Sequence, residues 1–366
     1  MEIVSNMQQL DAKLAECEAA AQESDSALRR VFSTFRMDFS NEVPADPFSS
    51  EYMDFQICLY RKISGKDYSP YNEQSKFNVT MADRRPFPFN SGSCKTVGYF
   101  TMGAGFLLNT LDLAPGARVV EFGPGWGNTT IAMAMLGLDV TAVDIESDFC
   151  ELLELRARRH EVDVKVVNAD FMWAENVQDP FDAAIFFECF HHCSDHMRLL
   201  NALRTAVKPG GRVYFAAEPI VPDFPIPWGL RMDGESLWAI RRNGWMELGF
   251  SECYFQDALA RTGWMATKHV LPDLGWAAVW EARRSEGSEL ADSAVNNIVP
   301  ASPPTETVPV QPIMPECKDY SASEARLRAE LEAVYNSSSW RLTAPLRALK
   351  LGLRRSQAER KPGNQA

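Results

Sequence analysis

The stretch EFGPGWGNTT, residues 121–130, decides how the rest of this chain is read. Gly123, Gly125 and Gly127 stand at alternate positions directly after Arg118–Phe122, a short apolar run that reads as a buried strand. A strand that ends in a glycine-rich turn and runs into a helix cradles nucleotides in open α/β sheets. The dinucleotide pattern G-x-G-x-x-G is not met, because its sixth position holds Asn128. Glu121, two residues ahead of the first glycine, puts a carboxylate at the strand tip, where pyrophosphate would meet like charge. The loop suits a ligand with a cationic group and no phosphate. S-adenosylmethionine, with its ammonium and sulfonium, is such a ligand.

Outward from this loop, strand and helix alternate. Strands are expected at Arg118–Phe122, Val140–Val143, Val164–Val167, Ala183–Phe187 and Arg212–Ala217. Helices are expected between them at Thr129–Leu136, Glu146–Arg159 and Asp195–Val207, the last capped by Ser194. This predicts a doubly wound, Rossmann-like α/β fold around a parallel sheet. A helix over Glu252–Arg261 and strands at Trp264–Val270 and Trp276–Ala282 follow. Only LPDLG separates those two strands, so they should form an antiparallel hairpin. Upstream, a helix begins at Thr96 with Val97, Phe100, Ala104, Leu107, Leu108 and Leu111 on one face. Residues 32–95 read as irregular and aromatic-rich, and residues 1–31 as a helix with a heptad pattern through Leu10, Leu14 and Cys17.

The 366 residues carry a formal net charge of −12, which repels phosphate backbones and argues against nucleic acid as a partner. The start, MEIVSNMQQLDAK, has no basic n-region and no apolar h-region. No apolar run reaches the roughly 18 residues of a membrane span. Eight cysteines show no framework spacing, so a cytoplasmic chain with reduced thiols is expected. Six prolines between Pro300 and Pro315 predict an extended, largely disordered linker. Helical periodicity then resumes, and Trp340–Ala366 holds seven basic residues against Glu359 alone, a net +6 that leaves −18 on the remainder. The expected organisation is an N-terminal helical cap (1–31), a catalytic domain (32–284, core 97–282, insertion 219–249), a linker (285–323) and a C-terminal helical tail (324–366).

Two further acids sharpen the ligand. Asp144 ends the second strand in VTAVDIE and can accept both hydroxyls of a ribose; its competing reading is a helix cap. In VVNADFMW, Asp170 can accept an adenine amino group and the Phe171 backbone N–H can donate to the ring; otherwise Asp170 is a solvated loop acid. With these residues in place, the stretch 97–282 resembles class I S-adenosylmethionine-dependent methyltransferases. The matching segments, in order, are VVEFGPGWGNTT, VTAVDIE, NADF, FDAAIFFECFHH and LRTAVKPGGRVYF. The resemblance implies a seven-stranded sheet whose last strand is antiparallel. It also implies S-adenosylmethionine held by Glu121, Gly123, Gly125, Gly127, Asp144, Asp170 and Phe171.

Methyl transfer to a hydroxyl needs a proton acceptor. ECFHHCSDH, residues 188–196, follows the fourth strand at the carboxyl edge where open sheets bind ligands. Its His191, then His192, and Glu188 are the expected bases, with Glu218 next. A zinc site of Cys189, His191, Cys193 and His196 competes, but its C-x₃-C spacing fits no standard pair, so no metal is expected. The insertion 219–249 reads as an acceptor lid, with Trp228, Arg231, Trp238 and Arg241 contacting the acceptor by stacking and charge-assisted hydrogen bonds. The competing reading packs those tryptophans into the core and solvates the arginines.

The segment LEAVYNSSSWRLTAPLRALK resembles a C-terminal segment attached to glycosyltransferases and methyltransferases of bacterial surface-polysaccharide synthesis, most specifically in SWRLTAPLR. Its leucines and Trp340, set among Arg and Lys, suit docking on an anionic membrane surface or on a protein of that machinery. The expectation is a cytoplasmic enzyme, peripheral at the inner membrane where the tail docks, that O-methylates a sugar of a bacterial polysaccharide or its precursor. The alternatives are a small-metabolite or lipid-like acceptor, and a non-catalytic scaffold of glycan assembly.

Overall fold

The computed structural model describes residues 1–285 except Asp273; residues 286–366, with nearly all of the expected linker and the whole tail, lie outside the described residues. The N-terminal region contains β1 (Glu2–Val4), α1 (Met7–Glu23), α2 (Asp25–Phe32), β2 (Phe35–Met37), α3 (Ser50–Ser64) and α4 (Val79–Arg84). The alternating region runs α5 (Cys94–Leu111), β3 (Arg118–Phe122), α6 (Asn128–Met135), β4 (Asp139–Asp144), α7 (Ser147–His160), β5 (Val164–Asn168), β6 (Phe181–Phe187), α8 (His196–Ala206) and β7 (Val207–Ala216). The insertion holds β8 (Ile220–Val221), β9 (Trp228–Leu230), α9 (Gly234–Arg242) and β10 (Leu248–Ser251). α10 (Glu252–Arg261), β11 (Trp264–His269) and β12 (Val279–Arg284) close the described chain.

One sheet has seven strands in the order β11-β12-β7-β6-β3-β4-β5. β3 to β7 run parallel, and β12 is antiparallel to both of its neighbours, as the alternation and the resemblance predict. The central strands are apolar on both sides because helices cover both faces. Phe122, Phe186 and Phe215 stack across β3, β6 and β7 on one face, with ring centroids 4.9 and 5.4 Å apart. On the other face Val119, Ile185 and Tyr214 pack against Leu107 and Leu111 of α5. Boundaries shift at three places. Asp195, not Ser194, caps α8 by accepting from Arg198 N–H at 3.1 Å. β7 begins five residues early at Val207, and Trp276 lies in a single turn, Gly275–Ala277, ahead of β12.

The N-terminal region departs further from expectation. Its first helix is interrupted at Ser24, whose hydroxyl accepts from Ala27 N–H at 3.1 Å and so begins α2. Leu10, Leu14 and Cys17 are buried in the domain core rather than on a coiled-coil seam. The stretch read as irregular holds the 15-residue α3, capped by Ser49 at 3.2 Å from Tyr52 N–H and ended by Gly65 at φ 73°. Its buried face is Tyr52, Gln56, Leu59, Tyr60 and Ile63. Tyr52 donates to Trp228 O at 2.7 Å and Tyr60 donates to Gly244 O, which pins α3 to the insertion. In the insertion β8, β10 and β9 form a small sheet, α9 packs on α2 and α3, and Arg36 of β2 bridges to Asp233. Together these elements wall a cavity at the carboxyl ends of β3, β6 and β7. Among the described residues no helix is long and apolar enough to cross a membrane.

Candidate active site

The glycine loop leaves β3 at Phe122 and turns on three left-handed residues, Gly123, Gly125 and Gly127, at φ 58°, 51° and 70°. A Cβ on Gly123 would sit 2.8 Å from Cys189 Cβ, and one on Gly127 would overlap Leu153. Gly123 N–H donates to Val143 O at 2.8 Å, and Gly125 N–H donates to Asp144 Oδ2 at 3.1 Å. The loop is thus tied to the end of β4. Asp144 also accepts from Glu146 N–H at 2.9 Å, and each of its oxygens keeps lone-pair capacity for a further donor. Burial pushes its pKa up to about 6.

Asp144, Asp170, Phe171, Gly123 and Gly125 line a cavity of about 380 Å³. Asp170 caps the turn that follows it, accepting from Met172 N–H at 2.9 Å. Two of the expected cofactor residues line neither cavity: Gly127, which turns the loop into α6 against Leu153, and the acid Glu121. Glu121 lies beneath the loop, 1% exposed. Thr129 and Thr130 donate their hydroxyls to its two oxygens, so it anchors the first turn of α6 rather than meeting a ligand. Burial raises its pKa. A strap missed in the sequence covers the same cavity: Tyr68, Pro70, Glu73, Ser75 and Phe77 line it. Gln74 Nε2 donates to Ile145 O at 2.9 Å, Phe77 N–H donates to Asp148 Oδ2 at 3.1 Å, and Lys76 pairs with Glu146.

A second, larger cavity of about 1490 Å³ shares Gly123, Gly125, Trp126, Glu188 and Trp245 with the first. Of the three expected bases, Glu188 alone lines both. It holds a left-handed backbone, φ 53°, an energetically costly conformation for a non-glycine residue and one that clusters at functional sites. Burial, with Glu218 adding to it, raises the Glu188 pKa to about 7. His191 lines only the larger cavity, and His192 only the smaller.

Glu218 organises this loop. Its carboxylate accepts from the N–H groups of Cys189 (2.8 Å), Phe190 (2.8 Å) and His191 (3.1 Å), and lies 2.8 Å from His191 Nδ1. Burial acts to raise the Glu218 pKa, but His191 and the amides outweigh it and lower it. The group stays ionised, with its lone pairs occupied. Glu218 therefore orients His191 and is not itself free to take a proton. His192 Nδ1 lies 2.9 Å from Met246 O and 3.2 Å from Glu73 Oε2. Burial disfavours its cation, but Glu73, with Glu247 and Glu218, outweighs burial and raises its pKa to about 9. Its Nδ1 is already engaged by Met246 O and Glu73, and the ring lines only the smaller cavity, so the geometry gives His192 no place on the acceptor side.

The zinc set weighed in the sequence does not assemble. Cys189 Sγ donates to Phe122 O at 3.0 Å, and His196 Nε2 lies 2.6 Å from the Tyr254 hydroxyl. The acceptor residues expected in the insertion separate too. Arg231 lines the larger cavity, pairing with Glu247 at 3.5 Å and Asp233 at 3.3 Å. Trp228 is 2% exposed, with its indole N–H donating to Pro47 O at 2.8 Å. Trp238 packs on Phe32, and Arg241 pairs with Asp11 at 2.8 Å. None of these three lines either cavity. The aromatic lining comes mostly from outside the insertion, with Phe87, Phe89, Phe100 and Trp276 among it, while the insertion contributes Phe224 and Trp245.

Residues 119–211 match the family described as "Methyltransferase domain". The chain is similar to the ubiquinone biosynthesis O-methyltransferase of Xanthomonas campestris pv. campestris (strain B100), 33% identical over 104 residues, 28% of this chain and 43% of that protein. It is similar to the same-named protein of Paraburkholderia phymatum, 33% identical over 105 residues and 44% of that protein. The chain thus spans less than half the length of these curated relatives. Among solved structures it is similar to the magnesium protoporphyrin IX methyltransferase of Synechocystis PCC 6803 with bound S-adenosylmethionine. The identity is 16% and the TM-score 0.38, over 66% of this chain and 94% of that one.

Proposed function

We propose that this chain is a class I S-adenosylmethionine-dependent methyltransferase that binds the cofactor in the smaller cavity and methylates a hydroxyl presented from the larger one. The observation that carries this reading is the wall of the smaller cavity. Glu73, Asp144, Asp170 and Glu188 line it; among the described residues no lysine or arginine does, and its one histidine, His192, is held against Glu73. Such a wall disfavours pyrophosphate and suits a cationic, phosphate-free ligand. Bound S-adenosylmethionine supplies an electrophilic methyl group. Asp144 accepts the ribose hydroxyls, Asp170 and the Phe171 amide meet the adenine, and the strap 68–77 keeps water away. Glu188 takes the proton of the acceptor hydroxyl. Replacing Asp144 by Ala removes charge-assisted hydrogen bonds worth about 1.5–3 kcal/mol, so calorimetry should show cofactor affinity falling about 10- to 100-fold. Because Asp144 accepts best when ionised, the parent's affinity should also weaken as pH falls below about 6.

The acceptor is proposed to be a sugar hydroxyl of a bacterial polysaccharide or its precursor, and the support is the resemblance of residues 331–350. A second reading, a lipid-like or small aromatic acceptor, is favoured by the wall of Phe87, Phe89, Phe100, Trp245 and Trp276 and by the name of the relatives. Mass analysis of surface glycan and of lipid extract from cells with and without the protein tests both. One methyl group lost from the glycan supports the sugar, and one lost from a lipid or small-molecule fraction supports the second reading. No change in either refutes both acceptor readings.

The tail is proposed to hold the enzyme, in the cytoplasm, at an anionic membrane face. Each basic residue there contributes about 1 kcal/mol near such a surface. Removing residues 324–366 should leave cofactor binding unchanged and abolish sedimentation with anionic vesicles. Sedimentation that ignores anionic lipid would point to a protein of the polysaccharide machinery instead.

A further inference from the structure

We propose that His191, His192 and Glu247 form a binding site for one divalent transition-metal ion. Each offers one ligand atom, and these atoms lie within 4.8 Å of one another. His191 Nε2 and Glu247 Oε2 are 3.8 Å apart. Tetrahedral zinc bonds of about 2.0–2.2 Å place ligand atoms about 3.3–3.6 Å apart, so the site needs up to about 1.5 Å of closure.

Both rings are already oriented for ligation. His191 Nδ1 faces Glu218 Oε2 at 2.8 Å, and His192 Nδ1 faces Met246 O at 2.9 Å, which leaves Nε2 of each as the ligand atom. Metal-binding histidines are held in this way, their other ring nitrogen against a carboxylate or a backbone carbonyl. The local charge also calls for a cation. Glu73, Glu218 and Glu247 converge on the two rings, with Arg231 beside Glu247. Arg231 is shared with Asp233, and it stands 3.5 Å from Glu247, which is only 8% exposed. A buried carboxylate so loosely paired is costly. The ion completes the pairing.

Two nitrogens and one carboxylate suit Zn(II), Co(II) or Fe(II) better than Mg(II) or Ca(II), which prefer oxygen. Glu247 immediately precedes β10 of the insertion, while the histidines lie on the turn after β6. The ion therefore clasps the insertion to the turn after β6. No step of the proposed reaction runs through it, and the site stands or falls without methyl transfer.

The test uses the full chain, stripped with chelator and titrated with Co(II). One equivalent should bind, giving visible d–d bands without thiolate charge-transfer absorption, and Zn(II) should displace it. His192→Ala and Glu247→Gln should each weaken binding at least about tenfold, with near-ultraviolet circular dichroism unchanged. Failure of stoichiometric uptake, or uptake indifferent to both substitutions, overturns the proposal. If a variant does not fold, X-ray absorption at the cobalt edge of the parent protein decides. Imidazole scattering with nitrogen and oxygen ligands supports the site, and sulfur ligation overturns it.

Discussion

Glu188→Gln should lower kcat by about 10²–10⁴ while leaving cofactor affinity within a few-fold of the parent. The substitution keeps the volume and removes the basic oxygen. Glu188 lines both cavities, so it stands where a methyl donor and an acceptor meet. Its pKa of about 7 is close to what an efficient base needs at neutral pH. The sign follows directly. The carboxylate accepts a proton only when ionised, so kcat/KM should rise as pH passes through about 7 and level off above it. In the cofactor complex the nearby sulfonium favours the ionised form, so the inflection in kcat should lie lower. A Glu188→Gln enzyme that keeps full turnover, or a flat profile between pH 6 and about 8, would exclude Glu188 as the base.

Glu218→Ala should cost about 3–5 kcal/mol of stability, because it strands a buried network rather than one contact. Three backbone N–H groups and the His191 ring lose their acceptor at once. Each unsatisfied buried donor costs about 1–3 kcal/mol before relaxation and water entry reduce the sum. Urea unfolding should show the midpoint falling with the slope unchanged. A loss below about 1 kcal/mol would mean that the loop after β6 is held by packing alone.

The sheet was legible because burial on both faces leaves a plain mark. RVVEF, VTAV and AAIFF are short, branched and continuous, and they became β3, β4 and β6 within two residues or so, while VKVV became the half-exposed edge strand β5. α3 was not legible because its buried stripe spends Tyr52, Gln56 and Tyr60, which each reach a partner in the distant insertion. The strap 68–77 has no periodicity at all; it is held by scattered hydrogen bonds to the β4–α7 turn. Glu121 was read correctly as a strand-tip acid and wrongly as a ligand. Position along a strand does not report depth, yet Thr129 and Thr130, eight and nine residues later, were the available signal. The tryptophans of the insertion misled for the opposite reason. Trp228 is the kind of large side chain that builds a core, and its indole N–H finds a backbone carbonyl there.

The most direct test of the central claim is calorimetric titration of the full chain with S-adenosylmethionine, its demethylated product and NAD. The acidic, lysine- and arginine-free wall around Asp144, Asp170 and Glu188 predicts one site that takes the first two and ignores NAD. Binding of NAD at that site, or failure of both S-adenosyl ligands to bind, would contradict the account.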